Sequence, residues 1–180
     1  ASAASSPAAG LRLDKSQEET LQQYAADTWQ SFVDMVDPAT GLPSDNITYD
    51  DSGAIMRSQY TSPTNIATYL WGALAARDLR IISRQEARDR IGKTLATLAT
   101  LERHAPSGQF YNWYDPATGA KLTTWPVDGG AVYPFLSSVD NGWLAAALIM
   151  VANGVPQLRD EAQALAASMD FGCYYDPAAG

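Results

Sequence analysis

The sequence predicts an all-α fold, arranged as a ring in which inner helices are wrapped by outer ones. Two patterns support this prediction. Helical segments with a single apolar stripe alternate along the chain with segments that are apolar on nearly every side, in the order striped, apolar, striped, apolar, striped. A helix that is apolar all round belongs in the interior, whereas a single stripe marks a helix that covers a core.

The first helix is predicted from Ser16 to Val36, because its apolar residues recur at spacings of three and four. It ends at the segment Asp37-Pro-Ala-Thr-Gly41, where Pro cannot continue a helix and Gly can adopt a left-handed conformation. The stretch from Leu42 to Met56 has no apolar period and is rich in Asp, Ser, Asn and Gly. It is therefore predicted as a loop.

The second helix is predicted to be central, and the third peripheral. Ser62 is a suitable N-cap, and Pro63 suits the first helical position, where a missing N–H breaks no bond. Nearly every position from Ile66 to Leu79 is apolar or small. The third helix opens at a capping box, Ser83 to Glu86. Its buried face is one stripe: Ala87, Ile91, Leu95, Leu98 and Leu101.

The next segment, from Gln109 to Trp125, contains two aromatic and β-branched runs around a second DPATG turn. It predicts a short β-hairpin inserted into the helical fold. An uncharged, buried helix is predicted to follow the polar residues 137–141. A last one-sided helix spans Leu158 to Met169, and Phe171 to Tyr175 is predicted as a strand without a partner.

The two inner helices are expected to begin on the same rim of the ring, because neighbouring helices alternate in direction. Residues 60–65 and 137–143 would then converge, together with the positive ends of two helix dipoles. Asp140 brings a carboxylate to this rim and is the leading functional candidate. The alternative is that Asp140 serves only as an N-cap.

The composition restricts the class of partner. The net charge is −8 and there is no basic run, which argues against nucleic acid and anionic membrane surfaces and favours a neutral substrate. No stretch approaches the roughly 20 apolar residues that span a bilayer. Residues 1–15 begin with an Ala- and Ser-rich leader, typical of a remnant of signal-peptide removal or of a linker. Export to the periplasm, cell envelope or medium is expected.

Residues 16–180 are predicted to be the N-terminal part of a larger helical domain. DPATG follows the first helix at Asp37 and recurs at Asp115, and a near copy, DPAAG, begins at Asp176. Five helices do not close a ring of paired inner and outer layers. The remainder of the same domain or a second chain is therefore expected to cover an apolar seam.

Several long segments resemble a known group of enzymes over roughly residues 20 to 180. They are QYTSPTNIATYLWGALAARDLRIISRQEA, LATLERHAPSGQFYNWYDPATGAKLTTWP, YPFLSSVDNGWLAAALIMV and MDFGCYYDP. They resemble the bacterial glucoamylase-like hydrolases, including glycoside hydrolase family 144 with its endo-β-1,2-glucanases, and a related domain of cyclic β-1,2-glucan synthases. The resemblance implies an (α/α)6 toroid, only part of which this chain would supply. It also implies a glycan pocket at the end where the inner helices begin.

The resemblance carries specific residues into that pocket. Asp140 of SSVDNGW matches an acidic residue of the family's VD motif. The residues Thr61, Thr64 and Asn65 of TSPTN match a second signature, and the segment Tyr111 to Asp115 matches FYNWYD. The family implies a further catalytic Glu after the stretch that matches MDFGCYYDP, and this sequence has no such segment.

Glycoside hydrolysis by an inverting enzyme, which the family implies, uses a carboxylic acid and a carboxylate about 6.5–9.5 Å apart. Asp140 could be the base, position the water or hold sugar hydroxyls, and the sequence leaves these roles open. The proposed substrate is an oligo- or polysaccharide, a β-glucan or a related bacterial polysaccharide. The candidate substrate-binding residues are Arg57, Thr64, Asn65, Tyr111, Asn112, Trp113, Asp115, Asn141 and Trp143.

Each of these candidates also has a structural interpretation. Asp115 could bond the backbone of its own turn, and Thr64 and Asn65 could satisfy polar groups between helices. The aromatic residues could belong to the core, and Arg57 could pair with the adjacent Asp50 and Asp51. No zinc spacing, Gly-rich phosphate loop or serine-nucleophile elbow is present, so no cofactor is predicted. The alternative functions are a noncatalytic carbohydrate-binding or cell-envelope protein and a helical interaction scaffold.

Overall fold

A computed structural model describes residues 13–178. In this range the chain forms five α-helices, two short 3-10 helices and one two-stranded sheet. The α-helices are α1 (Lys15–Met35), α2 (Pro63–Asp78), α3 (Arg84–Leu98), α4 (Ser138–Gly154) and α5 (Arg159–Ala167). The 3-10 helices span Pro156–Leu158 and Phe171–Tyr174, and strands β1 (Ile47–Tyr49) and β2 (Ile55–Arg57) pair antiparallel.

The helices begin where local capping signals predict. Ser62 caps α2 by accepting a hydrogen bond from the Asn65 backbone N–H, and the Asn65 side chain completes the capping box. Pro63 is the first residue of this helix, as expected. Ser83 caps α3 by accepting from the backbone N–H of Glu86. These signals lie within four residues of one another, so distant packing does not change them.

The helices α2 and α4 pack side by side and run in the same direction. Near their N-terminal ends, Thr64 Oγ1 donates a hydrogen bond of 2.7 Å to Asp140 Oδ1. At their C-terminal ends, Arg77 donates a hydrogen bond of 2.7 Å to the carbonyl oxygen of Gly154. Helix α3 and its two connections therefore return the chain to the rim where α2 begins, and α4 begins there too. The alternation of striped and apolar segments predicts this arrangement.

The core lies between this inner pair and the outer helices. Several apolar side chains of α2 and α4 are fully buried: Ile66, Leu70, Ala73, Leu144, Leu148 and Val151. The outer helices α3 and α5 each bury one stripe, which includes Ile91, Leu95, Leu98, Ala162 and Leu165. Helix α1 attaches through Trp29, whose ring stacks on Tyr69 with centroids 6.1 Å apart.

The prediction that α4 is buried on every side is wrong. Val139, Trp143, Ile149 and Met150 are between 44% and 67% exposed. The Trp143 ring contacts Trp71 of α2 at one edge, and the other three side chains lie where neither α2 nor α5 covers α4. Apolar sequence predicts which helix is central but not which of its faces has a neighbour. The occupant of this exposed face, expected from the sequence to be more of the same domain or a second chain, stays a prediction.

The β-hairpin is not where the sequence placed it. Strands β1 and β2 lie in the predicted loop, except for Arg57, one residue beyond its end. Between them the Asp50 carboxylate accepts hydrogen bonds from the backbone N–H groups of Ser52 and Ala54 and forms a tight turn. In the predicted hairpin, the DPATG turn does reverse the chain, but only Tyr114 and Lys121 form a bridge across it. On its other edge Tyr114 pairs with Thr61, so the segment connects elements instead of extending a hairpin.

Two further predictions meet the structure near the chain ends. The segment Phe171–Tyr174 is a 3-10 helix, not a strand, because the Asp170 side chain caps it by accepting from the Gly172 N–H. Residues 1–12 of the predicted leader lie outside the described residues. Its last residue, Lys15, is the first residue of α1. None of the described helices combines the length and apolar character needed to cross a membrane.

Candidate functional site

The candidate site is centred on Asp140, in the first turn of α4. Ser137 is the N-cap of this helix and accepts a hydrogen bond from the Asp140 backbone N–H at 3.1 Å. The interpretation of Asp140 as the N-cap is therefore wrong. Its carboxylate points instead to α2, where Thr64 donates to Oδ1 at 2.7 Å. The N-terminal ends of the two parallel helices α2 and α4, where backbone N–H groups lack helical partners, lie next to this carboxylate.

The second carboxylate oxygen of Asp140 is available for other partners. Within residues 13–178, Oδ2 receives no hydrogen bond, and the side chain is only partly buried. An ionised carboxylate is a pure acceptor that can take several hydrogen bonds. The site can therefore accept a proton or a hydrogen bond from a water molecule or a hydroxyl group that reaches this rim.

Asn141, the next residue, has a different role from the one predicted. It is fully buried, and its Oδ1 accepts from the Phe110 N–H at 2.8 Å. Its Nδ2 donates to the carbonyl oxygens of Phe110 and Ser137 at 2.9 and 3.0 Å, and to Tyr174 OH at 3.3 Å. The amide thus ties the start of α4 to the preceding connection, beneath the rim and not on its surface. The sequence prediction of a substrate contact does not fit this position.

The TSPTN segment supplies both capping groups and the Asp140 contact. Asn65 Oδ1 accepts hydrogen bonds from the backbone N–H and the hydroxyl of Ser62, at 2.9 and 2.6 Å. Thr61 is fully buried, and its Oγ1 has no protein partner in the structure. Of these residues, Thr64 is the one whose side chain reaches the carboxylate.

The FYNWYD segment divides into structural and rim positions. Asp115 Oδ1 accepts from the backbone N–H of Ala117 at 2.8 Å, so its carboxylate shapes the DPATG turn as its structural interpretation expects. The ring of Tyr111 is covered by Lys121, whose Nζ lies 4.5 Å from the ring centroid. Asn112 is buried, and its Oδ1 has no protein partner in the structure. Trp113 is partly exposed, and its ring belongs to a group of three aromatic side chains.

Of this aromatic group, the sequence predicted only Trp113 as a site residue. The rings of Tyr60 and Trp113 meet edge to face at a centroid distance of 5.6 Å. Trp125 lies 4.5 Å from Tyr60 and 6.0 Å from Trp113. All three side chains are partly exposed, and Tyr60 lies two residues before Ser62, the N-cap of α2. We call Tyr60, Trp113 and Trp125 the rim aromatic cluster. Its only sequence signal was the density of aromatic residues, which does not show which rings meet.

A second aromatic pair lies one turn below Asp140. Trp143 is 45% exposed, and its ring meets Trp71 of α2 edge to face at 4.9 Å. Trp143 is therefore accessible on the same face as Asp140, as the prediction of a substrate contact requires.

Arg57, another predicted substrate-binding residue, donates a hydrogen bond to the carbonyl oxygen of Asp34 near the end of α1. In the described part of the chain it forms no ion pair with Asp50 or Asp51.

Burial perturbs two tyrosines near this rim. It raises the pKa of Tyr114, whose hydroxyl donates to the carbonyl oxygen of Glu102 and accepts from the Tyr111 N–H. It also raises the pKa of Tyr174.

Across residues 13–178, no three His, Cys, Asp or Glu side chains lie together as a metal site would require. A cavity of about 550 Å³ lies at the opposite end of the helices, beside Arg77 and Arg88.

Comparisons with known proteins show similarity to a family of unknown function and to a small part of a glucan synthase. A protein family described as "Protein of unknown function (DUF3131)" matches residues 23–173. The chain is 31% identical over 136 residues to the cyclic beta-(1,2)-glucan synthase NdvB of Rhizobium meliloti (strain 1021). This match covers 75% of the chain but only 4% of the synthase.

Two solved structures share the fold at low sequence identity. An endo-beta-1,2-glucanase from Chitinophaga pinensis, solved with sophorotriose and glucose, is 18% identical with a TM-score of 0.61, over 87% of this chain. A proposed glucoamylase from Bacteroides fragilis is 20% identical with a TM-score of 0.62, over 91% of this chain. The chain spans 35% and 36% of these two proteins. The similarity confirms the predicted fold, part of a glucoamylase-like helical toroid.

Proposed function

The chain belongs to the DUF3131 family of proteins of unknown function, and we propose that it forms part of a glycoside hydrolase acting on a β-glucan. The observation that carries this proposal is the placement of Asp140. Its partly buried carboxylate lies where two inner helices begin, with one oxygen held by Thr64 and the other open. This arrangement suits a carboxylate that acts on a water molecule or a sugar hydroxyl.

The surroundings of Asp140 favour a neutral, hydroxyl-rich ligand. The rim aromatic cluster and Trp143 offer flat, partly exposed ring surfaces. Such surfaces suit the apolar C–H faces of a pyranose, while carboxylate and hydroxyl groups suit its hydroxyls. The net charge of −8 would repel a polyanionic ligand but not a neutral glucan.

The proposed linkage is β-1,2. It is supported by two similar proteins, the cyclic beta-(1,2)-glucan synthase of Rhizobium meliloti and the endo-beta-1,2-glucanase of Chitinophaga pinensis. Because the chain spans a small part of each, the activity is proposed for the longer protein that would contain this chain. Its location outside the cytoplasm, expected from the leader, is proposed with it.

The proposed mechanism is inverting hydrolysis. Asp140 would accept a proton or hydrogen bond from the attacking water or hold the sugar hydroxyls around it, and Thr64 would keep the carboxylate in place. A carboxylic acid about 6.5–9.5 Å away would protonate the leaving oxygen. By the family resemblance, that acid is expected in a segment after the stretch matching MDFGCYYDP.

The alternative is a noncatalytic carbohydrate-binding protein that uses the same rim. The partly exposed rings of the rim aromatic cluster and of Trp143 support this alternative, because aromatic rings and hydroxyls alone would bind a glycan without cleaving it.

A substrate panel separates the two functions. The longest available form of the protein is incubated with linear β-1,2-glucan, laminarin and soluble starch, and released reducing ends are measured. Hydrolysis of the β-1,2-glucan alone is the expected result. Tight binding of a glucan with no release of reducing ends would overturn the hydrolase in favour of the binding protein.

A further inference from the structure

The connection after α5 repeats the connection after α3. The segments Phe110–Ala117 and Phe171–Ala178 share Phe, Tyr, Asp, Pro and Ala at equivalent positions. Each follows an outer helix of the ring, and the first leads to an inner helix. In this alignment Tyr174 occupies the position of Trp113, which belongs to the rim aromatic cluster. In the structure the Tyr174 hydroxyl lies 3.3 Å from Asn141 Nδ2, so this aromatic residue reaches the start of α4.

The geometry leaves the hydroxyl hydrogen of Tyr174 available. Asn141 Nδ2 donates to the Tyr174 oxygen at 3.3 Å, so this oxygen is the acceptor in their bond. A tyrosine hydroxyl can also donate one hydrogen bond. No acceptor for that hydrogen is found in the described part of the chain, and the side chain is only partly buried. Since Asn141 follows Asp140 directly, the phenol lies beside the start of α4.

The environment keeps this phenol in its donor form. Burial raises the pKa of Tyr174 above its ordinary value, and Cys173 and Asp140 raise it further, against the opposing effect of the Asn141 hydrogen bond. The ring also packs against Phe171, with centroids 6.1 Å apart. The hydroxyl is therefore held by Asn141 and protonated at neutral pH, near the start of α4 where Asp140 lies.

We propose that Tyr174 is a substrate-binding residue that donates a hydrogen bond to a sugar oxygen held at Asp140. The inference rests on the proposed function and adds to it a residue outside the matched range 23–173. A donor and an acceptor near each other can form two hydrogen bonds with one sugar. Asp140 accepts from a hydroxyl, and Tyr174 donates to a neighbouring oxygen. Such a pair would select a glucan residue by its pattern of hydroxyls.

The test replaces only the hydroxyl, in the longest available form of the protein. Tyr174→Phe is compared with Tyr175→Phe, since Tyr175 is 69% exposed and makes no side-chain hydrogen bond to another described residue. Binding of sophorotriose is measured by calorimetry, the kinetics on linear β-1,2-glucan are determined, and the melting temperature is recorded. Tyr174→Phe should weaken binding about tenfold and raise KM more than it lowers kcat, with Tyr175→Phe close to wild type.

The contradicting results are distinct. A folded Tyr174→Phe protein with wild-type affinity and KM would overturn this inference while leaving the proposed function in place. A wild-type protein that neither binds nor cleaves any glucan would overturn both. If Tyr174→Phe does not fold, 3-fluorotyrosine is introduced at position 174. Its fluorine resonance should move on saturation with sophorotriose, and an unmoved resonance would reject the contact.

Discussion

The hydroxyl of Thr64 donates a hydrogen bond of 2.7 Å to the carboxylate of Asp140, across 76 positions of sequence. Both residues lie in the first turn of an inner helix, α2 and α4. With the bond from Arg77 to the Gly154 carbonyl at the far end, this contact fixes the register of the two helices. The carboxylate is thus held in one orientation before any ligand arrives, which is the condition for efficient use of a reacting group.

Replacing Thr64 by Val should release Asp140 from this orientation. The change keeps the shape of the side chain and removes the donor, so kcat/KM should fall roughly tenfold, about 1.4 kcal/mol. Steady-state kinetics on β-1,2-glucan measure the effect. Thr68→Val is the matched control, because the Thr68 hydroxyl bonds only the Thr64 carbonyl of its own helix. Equal losses in both variants would argue against a specific role for Thr64.

Replacing Asn141 by Ala should destabilise the protein, because its amide is fully buried and bonds the Phe110 backbone. The change leaves the buried N–H and carbonyl of Phe110 without side-chain partners, at a cost of about 3 kcal/mol in the free energy of unfolding. Urea denaturation measures it. Asn153→Ala, at an exposed position of α4, should change this free energy by less than about 0.5 kcal/mol. An Asn141→Ala variant as stable as the wild type would contradict the structural role assigned to this amide.

Alkaline pH should destabilise the protein through Tyr114. Burial raises the pKa of this tyrosine in the folded state, so the unfolded chain loses its proton first, at a pH of about 10. The stabilising contribution is complete below that pH and is lost as pH rises further towards the folded-state pKa. Urea denaturation between pH 8 and 11 should show the decline, and Tyr114→Phe should flatten it. Tyr49→Phe, at an exposed tyrosine, is the control and should leave the pH dependence of the unfolding free energy unchanged. The same pH dependence in Tyr114→Phe as in the wild type would exclude Tyr114 as its cause.

Removing the Trp143 ring should weaken sugar binding more than it affects folding. Trp143 is 45% exposed below Asp140, and loss of its surface should reduce affinity roughly fivefold, about 1 kcal/mol. Titration with sophorotriose by calorimetry measures the change. Tyr24→Ala, which removes an exposed ring from α1, should leave affinity unaltered. A lower melting temperature with unchanged affinity would mean that Trp143 only supports Trp71.

Local signals explain what the sequence predicted well. The start of α2 depends on Ser62, Pro63 and Asn65, which meet within one turn, and the structure has them as expected. The meeting of two inner helix starts at one rim follows from the alternation of striped and apolar segments. Together these placed Thr64 and Asp140 on one rim of the ring before any contact was known.

Contacts between distant residues explain what the sequence could not predict. The amide of Asn141 looked available because Phe110, which saturates it, lies 31 positions away. Aromatic and β-branched runs around Asp115 suggested a hairpin, but the pairing of Tyr114 with Thr61 was not visible locally. The exposed and buried faces of α4 carry the same apolar residue types. The sequence therefore does not show which face has a neighbour.

The most direct test of the account is the activity of Asp140→Asn. The change keeps the size of the side chain and removes its charge and basicity. Asp37→Asn is the matched control, because the Asp37 carboxylate shapes the DPATG turn after α1 and accepts from the Ala39 N–H at 2.8 Å. Both variants are made in the longest available form of the protein and assayed on linear β-1,2-glucan, with melting temperatures recorded.

The account predicts that Asp140→Asn remains folded and loses at least about a hundredfold in kcat/KM, or about 2.7 kcal/mol of transition-state stabilisation. Asp37→Asn should retain wild-type activity. A folded Asp140→Asn protein that hydrolyses the glucan within a few-fold of the wild-type rate would contradict the central claim that this carboxylate acts on the substrate.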